Sequence, residues 1–214
     1  MAINLNKITL EKQGDSHKID LTKGGGSSKE IVINLNWTQK TGFWASLTNS
    51  AIDLDLGCFF ELRDGQKSVI DGLQFAHGLG GSKDRLTKQG RYTGSPWIWH
   101  TGDDRSGAGT GENILVNPQG LSDIKRIIVY CFIYEGVAKW AESNAVVTVK
   151  VAGSPDIVVE MGQQHSSQKF CAIAEILFDS NSSITVKKLV TFHNDHGSCD
   201  KTYNWGMNWR AGSK

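Results

Sequence analysis

The chain has 214 residues, of which 39% are hydrophobic, and this is enough to bury one sizeable core. Lysine and arginine number 23 against 22 aspartates and glutamates, so no net field steers the chain onto nucleic acid or an anionic membrane. We therefore expect neither partner. We also expect no direct membrane insertion, because no stretch approaches the length of an apolar span.

The N-terminus and the cysteines indicate a soluble, cytoplasmic protein. The first residues, Met-Ala-Ile-Asn-Leu-Asn-Lys, alternate apolar and polar types and lack the uninterrupted apolar core of a secretory signal. The four cysteines are widely dispersed, and three of them lie inside apolar, strand-like runs. This pattern predicts buried, reduced thiols rather than a disulfide framework. The four are Cys58, Cys131, Cys171 and Cys199.

Apolar and polar residues alternate with a period of two along most of the chain, which predicts strands. In chain order the predicted strands cover residues 31–37, 54–62, 127–134, 147–151, 157–161, 170–178, 184–192 and 203–209. A single short helix is predicted at about residues 137–143. We therefore expect an all-β fold, a β-sandwich of two mainly antiparallel sheets with long functional loops at one end. No linker is long enough to divide the chain, so a single domain over residues 1–214 is expected.

The longest region without clean alternation runs from about Gly72 to Gly111, and a loop system of this length usually carries function. Within it, Trp97 and Trp99 stand two residues apart and would point the same way in an extended chain. We favour a core pair that packs beneath the loop. The alternative is an exposed stacking platform for a sugar or another planar ligand.

The segment from His100 to Asn113 combines carboxylates with glycines. Asp103, Asp104 and Glu112 offer hard anionic oxygens, and four glycines free the backbone to turn its carbonyls inward. This donor set suits Ca²⁺ better than a metal that prefers thiolates or imidazoles. The spacing is not that of an EF-hand, so some ligands must come from elsewhere in the chain.

A second source of ligands is the predicted strand that begins near Leu54. Its apolar residues occupy one face, and Asp53 and Asp55 share the other face. Two like charges this close repel unless a cation or solvent separates them, so the pair is either an exposed strand start or half of a metal site. Loop carbonyls and the further candidate Glu135 would complete the shell. The predicted calcium ligands are Asp53, Asp55, Asp103, Asp104, Glu112 and Asn113.

Catalytic and zinc-binding motifs are not evident, and we expect the protein not to be an enzyme. The sequence contains no Gly-x-Ser-x-Gly elbow, no His-Glu-x-x-His and no lone cysteine with an obvious histidine partner. The run from His193 to Asp200 is interpreted as a surface turn between two strands rather than a zinc site, because no second ligand cluster accompanies it.

Six separated segments, taken in order, resemble the TerD superfamily of tellurium resistance proteins, and the likeness extends from about residue 5 to the C-terminus. The resemblance implies a β-sandwich that binds calcium at one end through an Asp-x-Asp strand and a Gly-Asp loop. It also implies a role in bacterial resistance to tellurite and other stresses, no established catalytic activity, and partners among other tellurium-resistance proteins, including a membrane partner. The segments are Asp53-Leu-Asp-Leu-Gly-Cys-Phe-Phe-Glu-Leu, Asp64-Gly-Gln-Lys, Gly102-Asp-Asp-Arg-Ser-Gly-Ala, Gly111-Glu-Asn-Ile, Phe132-Ile-Tyr-Glu-Gly-Val with Trp140 after it, and Trp205-Gly-Met-Asn-Trp-Arg.

The function expected from the sequence is calcium binding by a β-sandwich of the bacterial tellurite and stress resistance system. One alternative is a metal-dependent carbohydrate or small-molecule binding module, with or without hydrolytic activity, that uses Trp97 and Trp99 beside the metal. A second alternative is a scaffold subunit of a membrane-associated stress complex.

Overall fold

A computed structural model describes residues 6–22, 29–37, 53–71, 82–102, 111–134, 138, 140–161, 164–180 and 182–209. Within these ranges the chain forms thirteen strands, two short α-helices and one turn of 3₁₀ helix at Pro118–Gly120. The helices are α1 (Trp140–Ser143) and α2 (His196–Tyr203). The strands are β1 (Lys7–Thr9), β2 (Ser16–Asp20), β3 (Ile31–Asn36), β4 (Leu54–Leu62), β5 (Lys67–Asp71), β6 (Gly90–Arg91), β7 (Ile98–His100), β8 (Glu112–Val116), β9 (Ile124–Ile133), β10 (Val146–Val151), β11 (Asp156–Glu160), β12 (Phe170–Asp179) and β13 (Ser183–His193).

The strands form two sheets that pack face to face. Sheet I has the order β1-β11-β10-β3-β8-β7-β6, and sheet II has the order β2-β13-β12-β9-β4-β5. The strand pairs are antiparallel, apart from the parallel pair of β1 with β11. The predicted all-β sandwich of mainly antiparallel sheets is confirmed.

The central core lies between the sheets, and strand alternation explains its composition. Leu54, Leu56 and Cys58 of β4 are fully buried in it, and Ile33 and Leu35 of β3 face them from sheet I. Each of these residues lies two positions from the next along its strand, as a single buried face requires. The four cysteines are free and buried, as predicted.

A second, smaller core covers the outer face of sheet II. Phe59, Tyr130 and Phe170 belong to it, and Trp205 packs on it from the segment that follows α2. The predicted strand over 203–209 is wrong, because Tyr203 ends α2, Asn204 takes a left-handed conformation at φ 57°, and the residues after it pair with no strand. Apolar and polar residues alternate over 205–209 because every second side chain of this segment packs on the outer face of sheet II.

The run from His193 to Asp200 is not a surface turn between strands, so that interpretation was wrong. It contains the start of α2, which a capping box fixes: the Asp195 carboxylate accepts from the Ser198 backbone N–H at 2.7 Å, and the Ser198 hydroxyl accepts in return from the Asp195 N–H at 3.1 Å. The capping signal was present in the sequence. Among the described residues, no helix has the length and apolar character needed to cross a membrane.

Candidate metal centre

Both sheets bring acidic residues to one end of the sandwich. Asp53 directly precedes β4 of sheet II, and Glu112 is the first residue of β8 of sheet I. The end of β9 meets them there, because the Tyr134 backbone N–H donates to the Asp53 carbonyl at 3.1 Å. The structure therefore brings together two sequence segments that stand far apart in the chain.

The Glu112 side chain bridges the two sheets. It is fully buried, and its Oε2 atom accepts a hydrogen bond from the Leu56 backbone N–H at 2.7 Å. The preceding residue, Gly111, has φ +72°, and a Cβ atom there would lie 2.0 Å from the Leu35 carbonyl oxygen. Only glycine fits this approach, and it sets the direction in which Glu112 enters the core.

His100, at the end of β7, faces the Glu112 carboxylate inside the core. Its Nδ1 atom accepts from the Gly102 backbone N–H at 3.1 Å, so the ring proton of a neutral imidazole resides on Nε2. That Nε2 atom lies 3.5 Å from Glu112 Oε2, and both side chains are fully buried. The sequence analysis did not name His100 as a site residue. The signal that could have identified it is its position at the start of the acidic, glycine-rich segment, two residues before Gly102.

Asp55 is also fully buried, on the outer face of β4. It stands opposite Phe132 of β9, and alternation places it on the face away from Leu54 and Leu56. Asp53 is half-buried and shares that face. The predicted alternation of β4 is confirmed. Of the two interpretations of Asp53 and Asp55, an exposed start of the strand does not apply to Asp55, because its side chain is buried.

The charges of Glu112 and Asp55 act on the same buried thiol. Cys131 lies opposite Leu56 in β9, and burial raises its pKa, with Glu112 and then Asp55 adding to the increase. Asp55 lies on the outer face of sheet II and Glu112 lies between the sheets, so the two carboxylates reach the same end of the sandwich on different sides of β4. A cation bound at this end would relieve the cost of holding acidic groups out of water.

The predicted ligands do not all share this region. Asn113 follows Glu112 in β8 and therefore lies on the opposite face, where its Oδ1 atom accepts from the Asn34 amide at 2.9 Å. Asp103, Asp104 and Glu135 lie outside the described residues. Within the part of the chain that the structure describes, no group of three or more His, Cys, Asp or Glu side chains is arranged to hold a metal ion. The ligand assignment stays a prediction.

A further buried acid, Asp71, which sequence reasoning missed, lies beside this end of sheet II. Asp71 Oδ2 accepts from the Tyr130 hydroxyl at 2.9 Å and lies 2.8 Å from Nε2 of His196, the first residue of α2. Burial raises the pKa of Tyr130 well above its usual value, and the Asp71 charge adds to this. Gly57 stands opposite both Asp71 and Tyr130, and a Cβ atom there would lie 2.4 Å from the tyrosine ring.

Trp97 and Trp99 occupy different environments. Trp97 is half-buried with φ +65°, and its indole N–H donates to Asp123 Oδ2 at 2.8 Å. Trp99 is 8% exposed on the outer face of β7, and the Lys83 ammonium lies 5.2 Å from its ring centroid. The two rings therefore do not form a common platform.

Comparison with known proteins identifies relatives in sequence and in fold. No protein-family model matches the chain. The tellurium resistance protein TerA of Alcaligenes sp is 34% identical over 218 residues, which is 99% of this chain and 60% of that protein. The chain thus spans less than two thirds of the length of this curated relative.

Two crystal structures share the fold. One is the homologue of the telluride resistance protein TerD, SCO6318, from Streptomyces coelicolor A3(2), with a TM-score of 0.52 and 18% identity. The other is a protein of unknown function, SAV2460, with a TM-score of 0.53 and 15% identity. Each match covers 78% of this chain and 91% of the other.

Proposed function

We propose that this chain, which belongs to the tellurium-resistance family of TerA and TerD proteins, binds Ca²⁺ at the end of the sandwich that carries Asp53, Asp55 and Glu112. The bound ion would serve a non-enzymatic, cytoplasmic role in resistance to tellurite and related stresses. Other tellurium-resistance proteins, among them a membrane partner, are the proposed associates.

The observation that carries the proposal is the burial of two carboxylates from different sheets at one end. Glu112 reaches across to the Leu56 backbone of the facing sheet, and its charge and that of Asp55 both act on Cys131. Carboxylate oxygens are hard donors of the kind that Ca²⁺ takes, in about six to eight coordination positions. Asp103 and Asp104, in the segment between Gly102 and Gly111, would supply further charge, as the sequence predicts.

The donor set fits calcium better than magnesium. Mg²⁺ demands near-ideal octahedral geometry and gives up its water reluctantly, whereas ligands drawn from a strand, a facing sheet and a glycine-rich segment form an irregular oxygen cage. When bound, the ion would supply positive charge to the buried acids and link the two sheets. It follows that binding should stabilise the folded state.

The carbohydrate-module alternative has less support. Stacking on a sugar requires an accessible aromatic face, but Trp99 is buried beneath Lys83 and the indole of Trp97 is bonded to Asp123. Trp99 therefore offers no open face, and Trp97 turns toward Gly120 and Asp123 rather than toward the acidic end.

Calorimetric titration of chelator-stripped protein with CaCl₂ tests the proposal. We expect saturable binding in the parent and its loss in the double variant Asp55→Asn, Glu112→Gln. The introduced glutamine would keep an acceptor for the Leu56 N–H while the charge is removed, so the link between the sheets is retained. Asp64→Asn, at the opposite end of β4, is the matched control and should bind as the parent does.

Thermal unfolding provides the second readout. Calcium at a hundredfold excess over its dissociation constant should add about 2.7 kcal/mol to the parent's stability and nothing to the double variant's. MgCl₂ at the same concentration should give a much smaller shift. If the double variant gains as much as the parent, these two carboxylates are not ligands; if magnesium matches calcium, the calcium assignment is wrong.

A further inference from the structure

The segment that precedes β6 is an exposed loop. The seven residues 82–88 are all exposed, and Leu86 at 68% is the most exposed large hydrophobic side chain among the described residues. Leu86 belongs to no core cluster of the described residues and no strand. A leucine held in water at the tip of a loop is a candidate contact for an apolar phase.

The charge around Leu86 is strongly positive, although the chain as a whole is nearly neutral. Residues 82–91 contain four cations, Lys83, Arg85, Lys88 and Arg91, against the single carboxylate of Asp84. Arg85 is the immediate neighbour of Leu86, and the exposed Lys88 follows two residues later. With Glu30 included, whose carboxylate accepts from the hydroxyl of Tyr92 beside Lys83, the balance is four cations to two acids, which still favours an anionic partner.

The loop is held in place at its base. The Lys83 carbonyl accepts from the Tyr92 backbone N–H at 2.8 Å, and the Lys83 ammonium lies 4.9 Å from the Tyr92 ring centroid. At the other side, the buried Gln89 side chain donates to the His100 carbonyl at 3.1 Å. These contacts hold both ends of the segment that carries Leu86 and its flanking cations, so docking would cost less ordering entropy than it would for a flexible segment.

We propose that residues 82–88, which we name the docking loop, bind the surface of an anionic phospholipid membrane. Leu86 enters the interface between headgroups and acyl chains, while Arg85 and Lys88 contact the phosphate and carboxylate groups of the lipids. A short projection with one apolar tip and flanking cations matches the layered chemistry of this surface, apolar inside and anionic outside. The arrangement is peripheral docking and requires no membrane span.

Two other classes of partner fit the loop less well. Nucleic acid binding usually adds accessible aromatic faces to the positive charge, but Lys83 covers the Tyr92 and Trp99 rings here. A stable protein interface needs about 1,000 Å² of buried surface around an apolar centre, and a single exposed leucine provides little of this. An acidic protein surface would also be bound mainly through charge, so Leu86 would contribute little.

Co-sedimentation with vesicles tests the proposal. The full chain is mixed at low ionic strength, in the presence of a chelator, with phosphatidylcholine vesicles that contain or lack phosphatidylserine. The chelator excludes calcium bridges between the protein and the lipid headgroups, so binding under these conditions does not require an occupied calcium site. We expect binding only to the vesicles with phosphatidylserine, weakening as salt is added.

Variants locate the contact. Arg85→Gln with Lys88→Gln should weaken binding by about 30-fold, at about fivefold for each cation near the surface. Leu86→Ala should weaken it by roughly threefold to tenfold, because less apolar surface enters the interface. The matched controls are Lys150→Gln with Lys201→Gln, two exposed cations elsewhere, and Leu177→Ala, a residue 42% exposed near the opposite end of sheet II. These should bind vesicles as the parent does.

Three results would overturn the proposal. The first is absence of binding to vesicles with phosphatidylserine at low ionic strength. The second is an equal loss in the control variants, which would indicate attraction by total charge alone. The third is binding of polyglutamate, unaffected by Leu86→Ala, without any binding of vesicles; this would assign the loop to an acidic protein partner.

Discussion

At the scale of single residues, backbone conformation decides what neighbouring side chains do. Trp97 and Trp99 would share a face in an extended chain, but the positive φ of Trp97 breaks the alternation before β7 begins. Trp97 turns toward Gly120 and Asp123, and Trp99 becomes a buried side chain on the outer face of sheet I. Of the favoured core pair, Trp99 is buried on the outer face of sheet I, and Trp97 is half-buried against the central core.

Substitution of the two tryptophans should separate their roles. Trp99→Ala should lower the free energy of unfolding by about 3–5 kcal/mol, because it removes a large buried ring. Trp97→Ala should cost about 1–2 kcal/mol, since the ring is half-buried and loses one hydrogen bond. Urea unfolding of both variants measures this. If both variants unfold at the parent's midpoint, neither ring is structural, and the ligand-platform alternative would regain support.

Among the secondary-structure elements, the short helix α2 fixes the segment that follows it, residues 204–209, on the outer face of sheet II. Its last turn carries Asp200, whose carboxylate accepts from the backbone N–H of Gly206 at 2.7 Å and of Met207 at 2.9 Å, and from the Trp209 indole at 3.0 Å. These bonds fix the segment after the helix, so that Trp205 packs on the outer core. Because the helix is short, the hydrogen bonds at its two ends contribute as much to its stability as those of its interior.

The cap of α2 gives a pH-dependent contribution to stability. The backbone hydrogen bond from Ser198 lowers the pKa of Asp195 below its usual value of 3.8, against a smaller opposing effect of burial. The pKa of Asp195 is lower in the folded than in the unfolded state. The cap therefore stabilises the fold fully at pH values above the pKa of the unfolded state. This stabilisation is lost as the pH falls through the pKa of the folded state. Asp195→Ala should cost about 1 kcal/mol near neutral pH.

The gap in stability between the parent and Asp195→Ala should shrink below about pH 4. Asp195→Asn retains a capping oxygen that does not titrate, so the stability of this control should depend less on pH in that range. Denaturant unfolding from neutral to acid pH measures all three. A gap that stays constant down to the acid limit would show that the carboxylate charge contributes nothing to the cap.

At the scale of the whole molecule, polar side chains join the two sheets at separate places. Glu112 does so at the acidic end. Lys188, a buried residue of β13 in sheet II, joins the sheets at another place, the edge of sheet I formed by β1 and β11. Its Nζ atom donates to the carbonyls of Leu10 at 3.0 Å, Glu11 at 3.0 Å and Glu160 at 3.1 Å. Three acceptors satisfy the three donors of an ammonium group.

Lys188→Met should destabilise the fold by about 3 kcal/mol, because three carbonyls lose their charged donor while the aliphatic length is retained. For a chain of this size, this corresponds to a melting temperature lower by roughly 6–12 °C. Lys187→Met is the matched control at the exposed neighbouring position and should change stability by less than about 0.5 kcal/mol. Equal melting temperatures for the two variants would show that the Lys188 contacts contribute nothing.

Alternation along the chain was enough to predict the fold class and most of the long strands. Residues 54–62 were predicted as a strand and form β4 with the same bounds, because alternation between a buried and an outer face is a local property of the chain. The strands β1, β2 and β5 to β8 were not predicted, since they have two to five residues and their pairing partners, rather than their own patterns, define them.

Which faces and segments meet depends on strand pairing, which is visible only in the folded molecule. A register shift between Ala172 and Ala174 places Phe170 and Ala172 in the outer core but Ala174 in the central core, although alternation alone would put all three on one face. In the same way, Glu112 and Asn113 lie on opposite faces of β8, and the pairing of β6 with β7 brings Gln89, which follows the docking loop, to His100. Sheet pairing is non-local, so a pattern read along one chain does not contain it.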